Sequence, residues 1–244
     1  MVPSERILVI IPAYNEERSI GRVIEDVKTH FQQADILVIN DGSTDDTSGK
    51  AKNCSVTVLD LPYNLGIGGA MQAGYKYAFE KEYDVAIQVD GDGQHAPKEI
   101  RKLFENLVKN GNDMTIGSRF LGRSAYRAST MRRVGIVILS MVISVLIRQK
   151  VTDPTSGFRA SSRRAIRLFA LDYPQDYPEP EVLVLLSRNG LKIEEVPVKI
   201  EQRSFGESSI TNIRAVYYMI KVLLAIFVDC FKKKSFVTRE DTKC

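Results

Sequence analysis

Two carboxylates, Asp90 and Asp92, close an apolar run in "AIQVDGDGQHAP" (86–97) and stand one residue apart. In extended chain, residues i and i+2 project to the same side, so a strand end can aim both carboxylates at one point. Magnesium and manganese take oxygen ligands, and magnesium commonly uses one or two carboxylates beside phosphate oxygens and water. Gly91 and Gly93 let the backbone approach a ligand closely. The stretch reads either as an acidic loop or as a cation site at a strand end. His95 and His30 stand near nothing resembling a triad, and Ser43, Ser156 and Ser208 lack a GxSxG setting, so hydrolase chemistry is disfavoured.

Other polar clusters have a similar setting. "NDGSTDDT" (40–47) follows an apolar run, with Asp41 placed to accept hydrogen bonds from a base or ribose. Its Ser43–Thr47 portion is turn and helix-cap chemistry. "NLGIGGAMQAG" (64–74) invites a dinucleotide reading, but Met71 stands where the fingerprint needs Gly or Ala, and the motif follows the third strand instead of the first. A helix N-terminus near a phosphate stays open as a reading, and a Rossmann dehydrogenase does not follow. "YPEPE" (177–181) puts Glu179 and Glu181 near a helix start, where the dipole favours them. Either one is also placed to act as a general base toward a hydroxyl. Seven basic residues and no acidic one lie between Ser118 and Thr152, five of them before Val134. Uncompensated arginines face solvent or an anion. Only Phe120 and Tyr126 lie among the first five, so a membrane surface or lipid phosphate suits them better than nucleic acid.

The elements that must position these groups alternate. Apolar runs at 6–12, 35–41, 55–61, 84–90 and 113–118 read as strands, with helical spacing at 15–31, 69–81 and 97–110. This is the grammar of βαβ units around a mostly parallel sheet, an α/β fold. Such sheets bind ligands beyond the carboxyl ends of their strands, where Pro12–Glu16, Asn40–Asp46, Asp90–His95 and Arg119 fall. A later strand-like segment covers 191–200. The chain of 244 residues is 44% hydrophobic with net charge +4, a globular composition that excludes gross disorder. Cys54, Cys230 and Cys244 have neither CxxC nor paired spacing, which argues against a zinc site or disulfide framework. No secretory signal is visible. The apolar stretches 134–147 and 215–231 are short or interrupted by Lys221 and Asp229, and suit lying on a membrane or packing in a core better than crossing a bilayer. The simplest partition is a catalytic domain over 1–209 and a C-terminal membrane-interface or oligomerisation helix with its tail over 210–244.

Taken together, "VIIPAYNEE", "VINDGSTDDT", "NLGIGGAMQAG", "VDGDGQHAP", "GSRF", "DPTSGFRA" and "VPVKIEQRSFGESS" follow the order of a family-2 inverting glycosyltransferase. The chain most resembles the dolichol-phosphate mannosyltransferase and polyprenyl-phosphate glycosyltransferase branch, over about residues 6–210. The resemblance implies a GT-A fold, a nucleotide-diphosphate-sugar donor, a Mg²⁺ or Mn²⁺ ion and a polyprenyl-phosphate or lipid-linked acceptor. By it, Pro12, Tyr14, Glu16 and Asp41 line the nucleoside pocket. Asp90, Asp92 and Gln94 hold the metal and donor diphosphate. Arg119 and one of Arg132 or Arg133 face the acceptor phosphate. Arg203 reaches the diphosphate from the segment that also carries Ser208. An acceptor that is itself a phosphate is already anionic and needs no side-chain base. Two departures stand out: Asn40-Asp41 replaces the usual acidic pair, and "YPEPE" is richer in carboxylates than a phosphate acceptor requires. A saccharide hydroxyl acceptor with Glu179 or Glu181 as base is therefore the second reading, and a non-catalytic membrane-binding module the third. The expected location is the cytoplasmic face of a membrane, with a homo-oligomer or a small membrane partner left open.

Overall fold

The computed structural model describes residues 5–121, 130–199 and 221–228, with the side chains of 130–132 excepted. Its seven-stranded sheet has the order β3-β2-β1-β4-β6-β5-β7. The strands are β1 (Ile7–Ala13), β2 (Ala34–Asn40), β3 (Thr57–Asp60), β4 (Val85–Gln88), β5 (Met114–Ser118), β6 (Arg159–Ser162) and β7 (Ile193–Pro197). All run parallel except β6, which lies antiparallel between β4 and β5. The chain moves outward from β1 to β2 and β3, then returns to place β4 on the other flank of β1. That reversal leaves a crevice between the carboxyl ends of β1 and β4, the usual ligand position in open α/β sheets.

Strand side chains alternate between two cores, as a sheet covered on both faces requires. Leu8, Ile10, Leu37 and Ile39 enter one, against α3 (Gly66–Glu80), α5 (Thr130–Ile147), α6 (Arg163–Leu171) and α7 (Pro178–Arg188). Val9, Ile11, Ile36 and Val38 enter the other, against α1 (Ile20–His30), α2 (Thr47–Asn53) and α4 (Ile100–Asn110). Residues 221–228 are helical and contribute Val222 and Ile226 to the first core. No helix among the described residues is long and apolar enough to cross a membrane.

Several boundaries differ from expectation. The helix expected from Asn15 starts at Ile20, because Asn15 takes a left-handed backbone (φ 55) and ends the strand in a turn. The helix expected from Gly69 starts a turn earlier, at Gly66. Strand β6 was not expected at all: "RASS" offers no apolar run, yet it fills the sheet's interior through Arg159 and small residues. Pro12 sits in the central strand without costing a ladder bond, since pairing of β1 with β4 ends at Ile10–Gln88.

Candidate functional site

The loops leaving β1 and β2 are laced together. Ser43 Oγ accepts from the Asn15 N–H (3.0 Å), Thr47 Oγ1 from Glu16 N–H (2.8 Å) and Asp45 from Glu17 N–H (3.2 Å). In return Asn15 Oδ1 accepts from Thr44 N–H at 2.8 Å. The Ser43–Thr47 turn thus satisfies backbone N–H groups of the loop between β1 and α1. Glu16 accepts from Ser19 Oγ at 2.6 Å, and Tyr14 is exposed at the rim. Pro12 is buried inside β1.

Asp41 is buried, with Oδ1 accepting from the Leu65 N–H at 2.7 Å. A third loop thereby docks on the second. A Cβ on Gly42 (φ +65) would lie 2.6 Å from the Asn64 nitrogen, so only glycine allows this approach. Exposed Tyr63 and Leu65 sit on that loop. Asn40 turns away from it: its amide donates to Asp60 (2.8 Å) and its carbonyl accepts from Ser43 N–H (3.3 Å). Hydrogen bonds from Lys52, Ser48 and Asn40 bring the Asp60 carboxyl down to about 2.

Beyond β4, Asp90 is half-buried between three neighbours. Gln88 Nε2 donates to its Oδ1 (3.1 Å), and His95 Nε2 lies 3.4 Å from Oδ2. Gly157 closes the third side, where a Cβ would stand 3.2 Å from both carboxylate oxygens. Asp92 Oδ1 accepts from the Gln94 N–H at 2.9 Å, a tight turn that keeps Asp92 and Gln94 together.

The turn between α5 and β6 fills the rest of this edge. Arg119, at the end of β5, gives Nε and Nη2 to Asp153 (2.7 Å each) and Nη2 to Thr155 (2.7 Å). Glu195 of β7 anchors the same turn through the N–H groups of Thr152 and Asp153, at 2.8 Å each. Arg159 is the largest fully buried side chain among the described residues, and it binds backbone carbonyls of Ser156 (2.7 Å) and Glu179 (2.6 Å). This staple draws the start of α7 to the site. Burial raises the Glu179 carboxyl's pKa, against the pull of Arg159; Asp90 raises it further and Arg119 lowers it. Glu181 instead caps its own helix, accepting from the Tyr177 N–H at 3.0 Å.

The fold therefore brings Tyr14, Glu16, Asp41, Asp90, Asp92, Gln94, Arg119 and Glu179 to one edge of the sheet. Arg133 is exposed on α5. Arg203, Ser208 and the Arg132 side chain lie outside the described residues. Sequence reasoning assigned no role to Asp153, Gly157, Phe158 or Arg159, although an arginine inside "SGFRAS" was an available signal. Among the described residues no cluster of three or more His, Cys, Asp or Glu side chains could hold a metal. Two carboxylates and an amide are hard oxygen donors too few for a protein cage, which fits a divalent ion sharing its shell with phosphate oxygens.

A mostly parallel seven-stranded sheet with one antiparallel insertion, and an acidic strand end at its switch point, give the chain the architecture of the GT-A fold. The whole fold superimposes on crystalline glucosyl-3-phosphoglycerate synthase from Mycobacterium tuberculosis in complex with Mn²⁺, UDP and glucosyl-3-phosphoglycerate (TM-score 0.71, 19% identity, 95% of this chain and 82% of that one). Residues 8–172 match the family described as Glycosyl transferase family 2, and the chain belongs to that family. It is 32% identical to the undecaprenyl-phosphate mannosyltransferase of Micrococcus luteus, over 85% of this chain and 88% of the relative. It is 30% identical to the UDP-N-acetylglucosamine–dolichyl-phosphate N-acetylglucosaminyltransferase of Methanococcus voltae, over 90% and 95%.

Proposed function

We propose that the protein transfers a sugar, with inversion, from a nucleotide-diphosphate-sugar to a polyprenyl phosphate at a membrane surface. The observation that carries this reading is the placement of Asp90 and Asp92 at the switch point, in a chain whose relatives are polyprenyl-phosphate sugar transferases. Asp41 and the Tyr14 rim would receive the nucleoside. Asp90, Asp92 and Gln94 would hold Mg²⁺ or Mn²⁺ against the donor diphosphate. When bound, such an ion supplies Lewis-acid stabilisation of the negative charge growing on the leaving group. Arg203 adds a cation to the same clamp. Arg119 and Arg132 or Arg133 are the acceptor-side cations of this reading, and Ser208 belongs to its substrate-binding segment.

Exposed Val134, Val137, Ile138, Met141 and Val145 give α5 an apolar outer face next to the basic segment, which supports peripheral docking on an anionic leaflet. The cytoplasmic face is the side this reading assigns. One observation favours a second acceptor class. The raised carboxyl of Glu179 suits a general base toward a saccharide hydroxyl; Glu181 is committed to its cap. Nucleotide release from a panel of nucleotide-sugars, with Mn²⁺ or EDTA, tests the donor half. Metal-dependent release that falls by about 100-fold in Asp92→Ala is expected, in line with removal of an electrostatic clamp. Full activity in that variant would overturn the metal assignment.

A further inference from the structure

We infer that His95 is a positioning residue for the cation site, holding the Asp90 carboxylate through a fixed Nε2–H tautomer. The inference rests on the metal-dependent reading above. Its starting point is the backbone. Beyond the β1–β4 ladder, the Val89 N–H donates to Ile10 O (3.0 Å) and the Gly91 N–H to Pro12 O (3.3 Å), both toward β1. The Asp90 N–H between them points to the other flank, where β6 begins only at Arg159, opposite Gln88. His95 Nδ1 takes that N–H at 3.0 Å.

An Nδ1 that accepts carries no proton, so the neutral ring bears its proton on Nε2. That nitrogen lies 3.4 Å from Asp90 Oδ2. One ring therefore touches both the backbone and the carboxylate of one residue. The ring is itself held: it is 6% exposed and stacks on Phe158, centroids 4.8 Å apart and planes at 18°. Phe158 follows Gly157, whose missing side chain leaves room for the Asp90 carboxylate. The "TSGFRA" segment thus cradles the "DGDGQH" loop from across the sheet. Side chains that orient a metal ligand typically change affinity 10–100-fold when removed.

His95→Phe keeps the ring and its stack on Phe158 but deletes both nitrogen contacts. Mn²⁺ binding to the full chain, read by electron paramagnetic resonance with UDP or GDP present, is expected to weaken by about ten-fold in this variant. Unchanged Mn²⁺ affinity in a folded His95→Phe overturns the positioning role alone. Absence of Mn²⁺ binding by the unaltered protein overturns it together with the metal-dependent reading. ¹⁵N-histidine spectra of the unaltered protein give an answer even if the variant does not fold; His30 is the only other histidine. An Nε2–H tautomer whose resonances shift on adding Mg²⁺ with nucleotide supports the role. An Nδ1–H tautomer, or no response to the ion, overturns it.

Discussion

Asp153 receives the whole inner edge of Arg119: the backbone N–H at 2.9 Å, and Nε and Nη2 at 2.7 Å each. Asp153 is fully buried and Arg119 is 7% exposed. The pair joins the end of β5 to the turn before β6, so it fixes the site's wall as well as the guanidinium. Removing one partner of a buried pair leaves an uncompensated charge and typically costs 3–5 kcal/mol. Asp153→Ala is expected to destabilise the fold by about 3 kcal/mol in denaturant unfolding. Arg119→Lys should not retain full activity, because an ammonium cannot reproduce the two-pronged contact. A stable Asp153→Ala protein would show that the turn is held by its other anchors, Glu195, Arg159 and the hydroxyl contacts of Thr152 and Ser156 with β5.

Glu179 gives a pH dependence with a definite sign. Burial raises its folded carboxyl above the ordinary value of 4.5. Between the unfolded and the folded pKa, the native state therefore binds more protons than the unfolded chain. Stability then falls as pH rises through that window. Glu179→Gln, which cannot ionise, should lack this decline and gain stability relative to the unaltered protein above the window. Parallel melting temperatures for the two proteins across the acid range would contradict the assignment.

The outer face of α5 makes a separate prediction. Val137 and Met141 are 49% and 57% exposed, while Ile136, Leu139 and Ile143 on its inner face are buried. A Val137→Glu, Met141→Glu double variant should keep its melting temperature, since neither side chain supports the core. Flotation with anionic vesicles should fall several-fold, as apolar contact is lost and a charge repelled. Undiminished flotation would place the docking surface elsewhere.

Much of this architecture is legible in the residues, and for specific reasons. Strands β1, β2, β4 and β5 are apolar runs that stop abruptly at polar groups, so both the strand and its ligand-facing end show in one stretch. Strand β6 does not show, because its buried arginine is satisfied by carbonyls that only the folded turn supplies. Asn40, which replaces an acidic residue of the usual pair, spends its amide on Asp60 and its carbonyl on Ser43, partners the linear pattern does not reveal. The role of Ser43–Thr47 was half legible: turn chemistry was readable, but not that its acceptors serve N–H groups 28–31 residues earlier. Glu179 and Glu181 look interchangeable in "YPEPE", yet helical geometry turns one back to its cap and leaves the other beside Arg159. Such assignments depend on contacts across the sheet, which a linear pattern does not encode.

The most direct test of the central claim is sugar transfer to a defined lipid. Purified protein is incubated with a panel of radiolabelled nucleotide-sugars, Mg²⁺ or Mn²⁺, and either undecaprenyl phosphate or the uncharged alcohol undecaprenol, and label in the organic phase is counted. Metal-dependent label with the phosphate, abolished by EDTA and absent with the alcohol, is the predicted result. Nucleotide-sugar turnover with no lipid-linked product from the phosphate would contradict the account.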